Sequence, residues 1–206
     1  MKKLLTEFIG TFFLVLTLTL CLMSKTAMTP LAVGAMYMVM IFAGGHISGG
    51  HFNPAVTIAV FLRGKCSVSD VPSYILTQFL AAGVAGLVSS TFLMNVGTPI
   101  EIGSKVPQCM VGELLGTFAL VFVVLNVATA KDTMGNSFYG LAIGLCWTAG
   151  SFAMNSISGG LFNPAAALGN SVAGLNHFSD IWIYIIGQII GAAAAAYVFL
   201  YINGKD

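Results

Sequence analysis

Charge is what this sequence has least of. Only 7% of its 206 residues are Asp, Glu, Lys or Arg, against roughly 25% in a soluble domain. Such a chain cannot cover a water-facing surface. Acidic residues number seven, and no nucleophile–base pair, phosphate loop or metal-ligand cluster stands out, which argues against an enzyme. Net charge is +1, so nothing suggests a basic surface for nucleic acid. Cysteine is sparse too. Cys21, Cys66, Cys109 and Cys146 are scattered, with no CxxC pair and no metal-ligand spacing, so they read as buried small hydrophobes. No metal and no cofactor are expected.

What the chain has instead is apolar length. Hydrophobic residues make up 57% of it, and about 20 apolar residues cross a bilayer. Six candidate spans appear: Leu4–Met23, Leu31–Gly44, Val71–Val96, Cys109–Ala130, Phe138–Ser156 and Asp180–Ile202. The second becomes long enough if it begins near Thr29. The first is followed by no Ala-x-Ala-like cleavage site and reads as a membrane helix rather than a removable signal peptide. Six spans and their links use nearly all of residues 1–206, which predicts a single transmembrane domain.

The chain is also written twice. TEFIGTFFLVL at 6–16 matches GELLGTFALVF at 112–122, aligning Glu7 with Glu113. HISGGHFNPAVTIAV at 46–60 matches SISGGLFNPAAALGN at 156–170, and SYILTQFLAA at 73–82 matches IYIIGQIIGA at 183–192. The offsets are 106, 110 and 110. Two repeats result, about 1–104 and 105–206. Each holds three spans, and an odd number makes the second repeat enter from the opposite face, giving an inverted repeat.

Inversion gives the two Asn-Pro-Ala segments a shared purpose. Each lies between the second and third spans of its repeat and is followed by a short apolar run, Ala55–Leu62 or Ala165–Ala173. Ten residues of helix reach about 15 Å, half of a roughly 30 Å hydrocarbon core. Asn suits a helix cap and Pro its first turn. Each link is therefore expected to enter as an extended Gly-rich strand, turn at Asn-Pro and return as a half-helix, the two meeting Asn to Asn. Non-helical backbone at that depth is tolerated only inside protein or along a water-filled cavity. Ser48-Gly49-Gly50 and Ser158-Gly159-Gly160 would then present carbonyls to a lumen.

With SGGHFNPAVT, the second Asn-Pro-Ala and the paired Glu-x-x-Gly-Thr-Phe in view, the chain resembles the aquaporin, or major intrinsic protein, family over essentially its whole length. The resemblance implies an all-α membrane fold of six transmembrane helices and two re-entrant half-helices. It implies that Asn53, Pro54, Ala55, Asn163, Pro164 and Ala165 form the pore motifs, with the Asn amides donating hydrogen bonds to passing water. Glu7 and Glu113 match the family's acids that accept hydrogen bonds from the re-entrant backbone. An ionisable group inside a membrane is costly and usually functional. His51 is a candidate for lining the inner pore or bracing its link, and His46 reads as structural packing.

The selectivity filter departs from the family. Counting without gaps from the matched blocks places its four positions at Val33, Ser151, Gly160 and Ala166. A strict water channel usually has an aromatic, a His, a small residue and an Arg there. Ala166 stands where the Arg would be, and Ala167 follows it in place of the glycerol facilitators' Asp. Losing the guanidinium removes a fixed charge and five donors, and the small side chains would widen the ring. A residue from the 97–107 link filling the gap is the alternative.

The expected function is a passive channel for water and small uncharged solutes, with glycerol, urea or hydroxylated metalloids as candidates. A narrow water-only channel and an ion-coupled secondary transporter are the alternatives; an enzyme or an adhesive protein fits less well. The expected partners are the lipid bilayer, water and neutral solutes, with no nucleic acid. The resemblance also implies a homotetramer. Lys2, Lys3, Arg63, Lys65, Lys131 and Lys205 lie on one side, against Lys25 and Lys105 on the other. That bias places both termini in the cytoplasm of a multi-pass protein of a plasma or inner membrane.

Overall fold

The computed structural model of the chain describes residues 1–95 and 99–205. Among the described residues there are eight α-helices: α1 (Lys2–Met23), α2 (Thr29–Ser48), α3 (Pro54–Leu62), α4 (Asp70–Val88), α5 (Val106–Thr129), α6 (Tyr139–Met154), α7 (Pro164–Val172) and α8 (Ile181–Asn203). Six are the expected spans, and α3 and α7 are half-length, each of 9 residues. Helices α1, α2, α4, α5 and α8 are long and apolar enough to cross a membrane, while α6 is a shorter apolar helix. The third span ends differently from its expected form. Regular α-helix stops at Val88 and continues as a wider π turn over Ser89–Leu93. There Met94 N–H reaches back to the Ser89 carbonyl. Val96, the expected end of that span, lies outside the described residues.

The packing follows the duplication. Helix α1 packs on α2 and α4, and α5 packs on α6 and α8 in the same relation. The repeats meet through α2 against α6, and each half-helix also reaches into the other repeat, α3 against α8 and α7 against α4. The described residues form an all-α bundle of two packed repeats, each with three long helices and one half-helix.

Small residues set how closely the helices approach. A side chain at Gly187 would strike the Met110 carbonyl at 2.6 Å, and Gly191 abuts the Leu114 carbonyl, both on α5. Gly144 abuts the Gly34 carbonyl across the α2–α6 contact, and Gly140 faces the Phe42 ring. All four glycines therefore seal helices within one chain. Large apolar side chains such as Leu76, Leu80, Leu145 and Ile190 are exposed outward, where lipid replaces water. Exposed Trp182 near the start of α8 and Tyr201 near its end suit the two bilayer interfaces.

Gly191→Ala should lower the thermal midpoint in detergent, overpacking costing about 1–3 kcal/mol. Gly83→Ala, with nothing among the described residues within 4 Å of the added carbon, should leave the midpoint unchanged or raise it. Equal effects of the two substitutions would remove the close-contact argument.

Candidate functional site

The site is built on two links that leave the helix ends, enter the bundle and return. The expected extended strand is not what forms. Gly49, Gly50 and Phe52 have φ of 93°, 65° and 49°, and Gly159, Gly160 and Phe162 have 86°, 65° and 50°. Three of four residues before each Asn thus turn left-handed, which lets the backbone aim successive N–H groups at one point. The two glycines take this conformation freely. A phenylalanine there is strained by about 1–3 kcal/mol and must be held.

It is held from three directions. The Glu7 carboxylate accepts from Ser48 Oγ at 2.7 Å, His51 N–H at 3.0 Å, Phe52 N–H at 2.7 Å and Gln78 Nε2 at 2.8 Å. Glu113 repeats the set with Ser158 Oγ at 2.6 Å, Leu161 N–H at 3.0 Å, Phe162 N–H at 2.8 Å and Gln188 Nε2 at 2.7 Å. The Phe52 ring lies against Gly10 and the Phe162 ring against Gly116, where any side chain would collide. This contact explains the Gly of the Glu-x-x-Gly-Thr-Phe blocks. Both carboxylates are fully buried, and four charge-assisted hydrogen bonds on each offset the cost of burying it.

The third hold crosses between the repeats. Asn53 Nδ2 donates to the Phe162 carbonyl at 2.8 Å, and Asn163 Nδ2 donates to the Phe52 carbonyl at 3.0 Å. The two half-helices meet at their Asn residues, as expected, and the meeting takes the form of a reciprocal exchange in which each amide donates to the carbonyl just before the other Asn. Asn53 Oδ1 meanwhile caps α3 through Ala55 N–H at 2.8 Å, and Asn163 Oδ1 caps α7 through Ala165 N–H at 2.9 Å. With Oδ1 committed to capping, each amide faces its surroundings through donors only, and one Nδ2 hydrogen remains beyond the crossing bond. Pro54 and Pro164 start their helices, and Ala55 and Ala165 are fully buried beside them.

At the end of the bundle that carries the termini, a cavity of about 450 Å³ is lined by Gly49, His51, Val60, Tyr74, Val124 and Thr129 among others. His51 both lines this cavity and braces the link. Its Nδ1 is 3.1 Å from Thr57 Oγ1, and its ring meets Tyr74 edge-on. His46, expected to pack structurally, is exposed in the same cavity, because α2 ends there and the link turns away from it. The expectation of buried thiols holds for Cys109 alone, while Cys21, Cys66 and Cys146 are half-buried. Arg63 is also buried, donating to the Thr129 carbonyl at 3.4 Å and lying 4.9 Å over the Phe199 ring.

At the opposite end the cavity is smaller, about 80 Å³, between Ile100, Ile102, Ser158, Gly159 and Tyr184 among others. Residues 99–102 are pinned there: Ile100 N–H donates to the Leu175 carbonyl at 2.9 Å, and His177 Nε2 lies 2.9 Å from Glu101. Ile100 sits 3.8 Å from where a Gly159 side chain would stand, so this link does reach the second re-entrant segment. Its residues 97 and 98 lie outside the described residues.

The four positions expected to form the filter are buried: Val33 is 1% exposed, Ser151 5% and Ala166 0%, and Gly160 is buried with them. Gly160 lies against Ser151, 2.8 Å from its Cα to an added side chain, so only glycine fits. Sequence reasoning gave no role to Gln78 and Gln188, although both recur at matched positions. It also passed over Tyr37 and Trp147, wholly buried aromatics one turn from Val33 and Ser151.

The family model described as major intrinsic protein matches residues 1–199. The chain belongs to the major intrinsic protein family. It is 33% identical to the maize (Zea mays) protein named Aquaporin NIP1-1 over 96% of this chain and 73% of that one. It is also 33% identical to a Lactiplantibacillus plantarum protein named glycerol uptake facilitator protein-like 6, over the full length of both. Its fold matches the aquaglyceroporin structure from Plasmodium falciparum with a TM-score of 0.79, at 19% identity, over 96% of this chain and 94% of that one. This major intrinsic protein is an integral, multi-pass membrane channel and not an enzyme.

Two outcomes follow from this geometry. Glu113→Ala should strip four buried donors of their acceptor, each worth about 1–3 kcal/mol, and prevent recovery of folded protein in detergent. A wild-type melting curve for that variant would refute the bracing role. Glu101 raises the His177 pKa above its ordinary value, chiefly by hydrogen bonding. The ion pair therefore stabilises the contact between the links that carry Glu101 and His177 fully below the ordinary histidine pKa and loses its effect as pH rises through the raised value. Histidine NMR titration should show His177 titrating lower in Glu101→Gln than in the wild type.

Proposed function

We propose that this channel passes water and small uncharged solutes passively through a lumen between its two re-entrant links. Asn53-Pro54-Ala55 and Asn163-Pro164-Ala165 would form its waist. The observation that carries this reading is the pair of facing half-helices, each capped by an Asn that offers its surroundings only donors. Each helix N-terminus adds roughly half a positive charge. A passing water must point its oxygen at the Asn pair, which interrupts a proton wire, and a cation meets a repulsive field.

Val33, Ser151, Gly160 and Ala166 are the proposed selectivity filter, and without an Arg its one side-chain donor is the Ser151 hydroxyl. Glycerol, urea and hydroxylated metalloids are the candidate solutes besides water, and the name of the glycerol facilitator-like relative points the same way. Glu7 and Glu113 act as braces, already engaged by four donors each. That engagement leaves an ion-coupled transporter without its acids. His51 lines the terminus-side approach.

In this reading residues 1–206 are one channel domain of two repeats, about 1–104 and 105–206, assembled as a homotetramer with one pore per subunit. Both termini face the cytoplasm of a plasma or inner membrane. Arg63 is buried, so the surface bias rests on Lys2, Lys3, Lys65, Lys131 and Lys205 against Lys25 and Lys105, and it still favours that side.

Stopped-flow light scattering on proteoliposomes tests the proposal. Water flux should rise above that of empty vesicles, and glycerol or urea should also enter. Ala166→Arg should reduce entry of the larger solutes more than that of water. Water flux alone in the wild type would make the channel water-selective, and no flux at all would end the passive-channel reading.

A further inference from the structure

Tyr37 and Trp147 occupy a place that the filter positions alone do not explain. Tyr37 follows Val33 by four residues on α2, and Trp147 precedes Ser151 by four on α6. Residues four apart share a helix face, so both rings lie on the filter side, one turn toward mid-depth. They are also equivalents of one another: the offset of 110 that relates Asn53 to Asn163 relates Tyr37 to Trp147. The axis that passes between the two Asn residues therefore passes between these two rings, at the same depth.

The rings are in contact and tied to both links. Tyr37 and Trp147 meet edge to face with centroids 5.6 Å apart, and Trp147 meets Phe162 at 6.0 Å. Tyr37 donates its hydroxyl to the His51 carbonyl at 3.0 Å. Both rings are 0% exposed. Among the described residues Trp147 Nε1–H is buried without a hydrogen-bond partner, and leaving such a donor unpaired costs about 1–3 kcal/mol. An indole donor retained at that cost, at the depth of the Asn amides, calls for an acceptor that arrives from outside the protein.

We propose that Tyr37, Trp147 and Phe162 form the size-selecting collar of the channel, and that Trp147 Nε1–H is a specificity-determining donor to the oxygen of a permeating water or hydroxyl-bearing neutral solute. The inference rests on the passive-channel reading above. The collar moves discrimination from the Arg-less ring to mid-depth. There the Asn amides and the indole present donors alone, so a solute is recognised through its lone pairs.

The test compares wild type, Trp147→Phe and Trp147→Ala in proteoliposomes under water, glycerol and erythritol gradients. Trp147→Phe keeps a ring and removes the donor; it should reduce water and glycerol flux several-fold while leaving the melting curve near that of the wild type. Trp147→Ala opens the collar and should raise the ratio of erythritol and glycerol entry to water entry several-fold. Tyr37→Phe supplies a second test if Trp147→Ala does not fold. It frees the His51 carbonyl and loosens the collar, so its solute-to-water ratio should also rise. Wild-type flux with the solute-to-water ratio and the absolute rates unchanged in every folded variant overturns the collar and leaves the channel intact. Absence of any wild-type flux overturns both.

Discussion

Backbone that enters a membrane without forming a helix must find every hydrogen-bond partner inside the protein. That constraint governs this molecule. Each re-entrant link carries left-handed turns that turn its N–H groups toward one point, and a single buried carboxylate waits there. A neutral acceptor would satisfy fewer of these donors and hold each more weakly. The acid, the Ser before the glycines, the Gln of the following span and the small residue under the Phe ring are one device. Its parts lie far apart in sequence and are present in both repeats.

This device explains why so much of the fold was legible in the residues. Inversion followed from three spans per repeat, and the half-helices followed from Asn-Pro-Ala before a short apolar run. The paired Glu could be singled out because an acid in an apolar span is conspicuous. What the letters concealed was conformation at single residues. Nothing in the code distinguishes a Phe at φ +49° from one in a strand, so the links read as extended. Nor does an Asn announce that its amide will cross to a carbonyl 109 residues away. Tyr37 and Trp147 escaped notice because an aromatic in an apolar helix looks like ordinary core, and only their contact across the α2–α6 junction sets them apart.

The repeats are unequal where their environments differ. His51, Thr57 and Arg63 in the first link stand opposite Leu161, Ala167 and Ala173 in the second. Of these only His51 lines the terminus-side cavity of about 450 Å³, while the cavity at the opposite end is about 80 Å³ and is lined by Ser158 and Gly159 of the second link. A symmetric backbone thus carries two unequal mouths, the roomier one on the side of the termini.

The reciprocal bonds between Asn53 and Phe162 and between Asn163 and Phe52 bear on how the molecule is made. When the first repeat has entered the membrane, its Glu brace can close, but the Asn53 amide has no carbonyl to reach. Its acceptor belongs to a segment still to be synthesised. The waist is therefore the last part to lock, and it locks both repeats together. A chain interrupted before Phe162 would hold an unsatisfied polar centre at the middle of the bilayer, a ready mark by which cellular quality control could recognise an unfinished molecule.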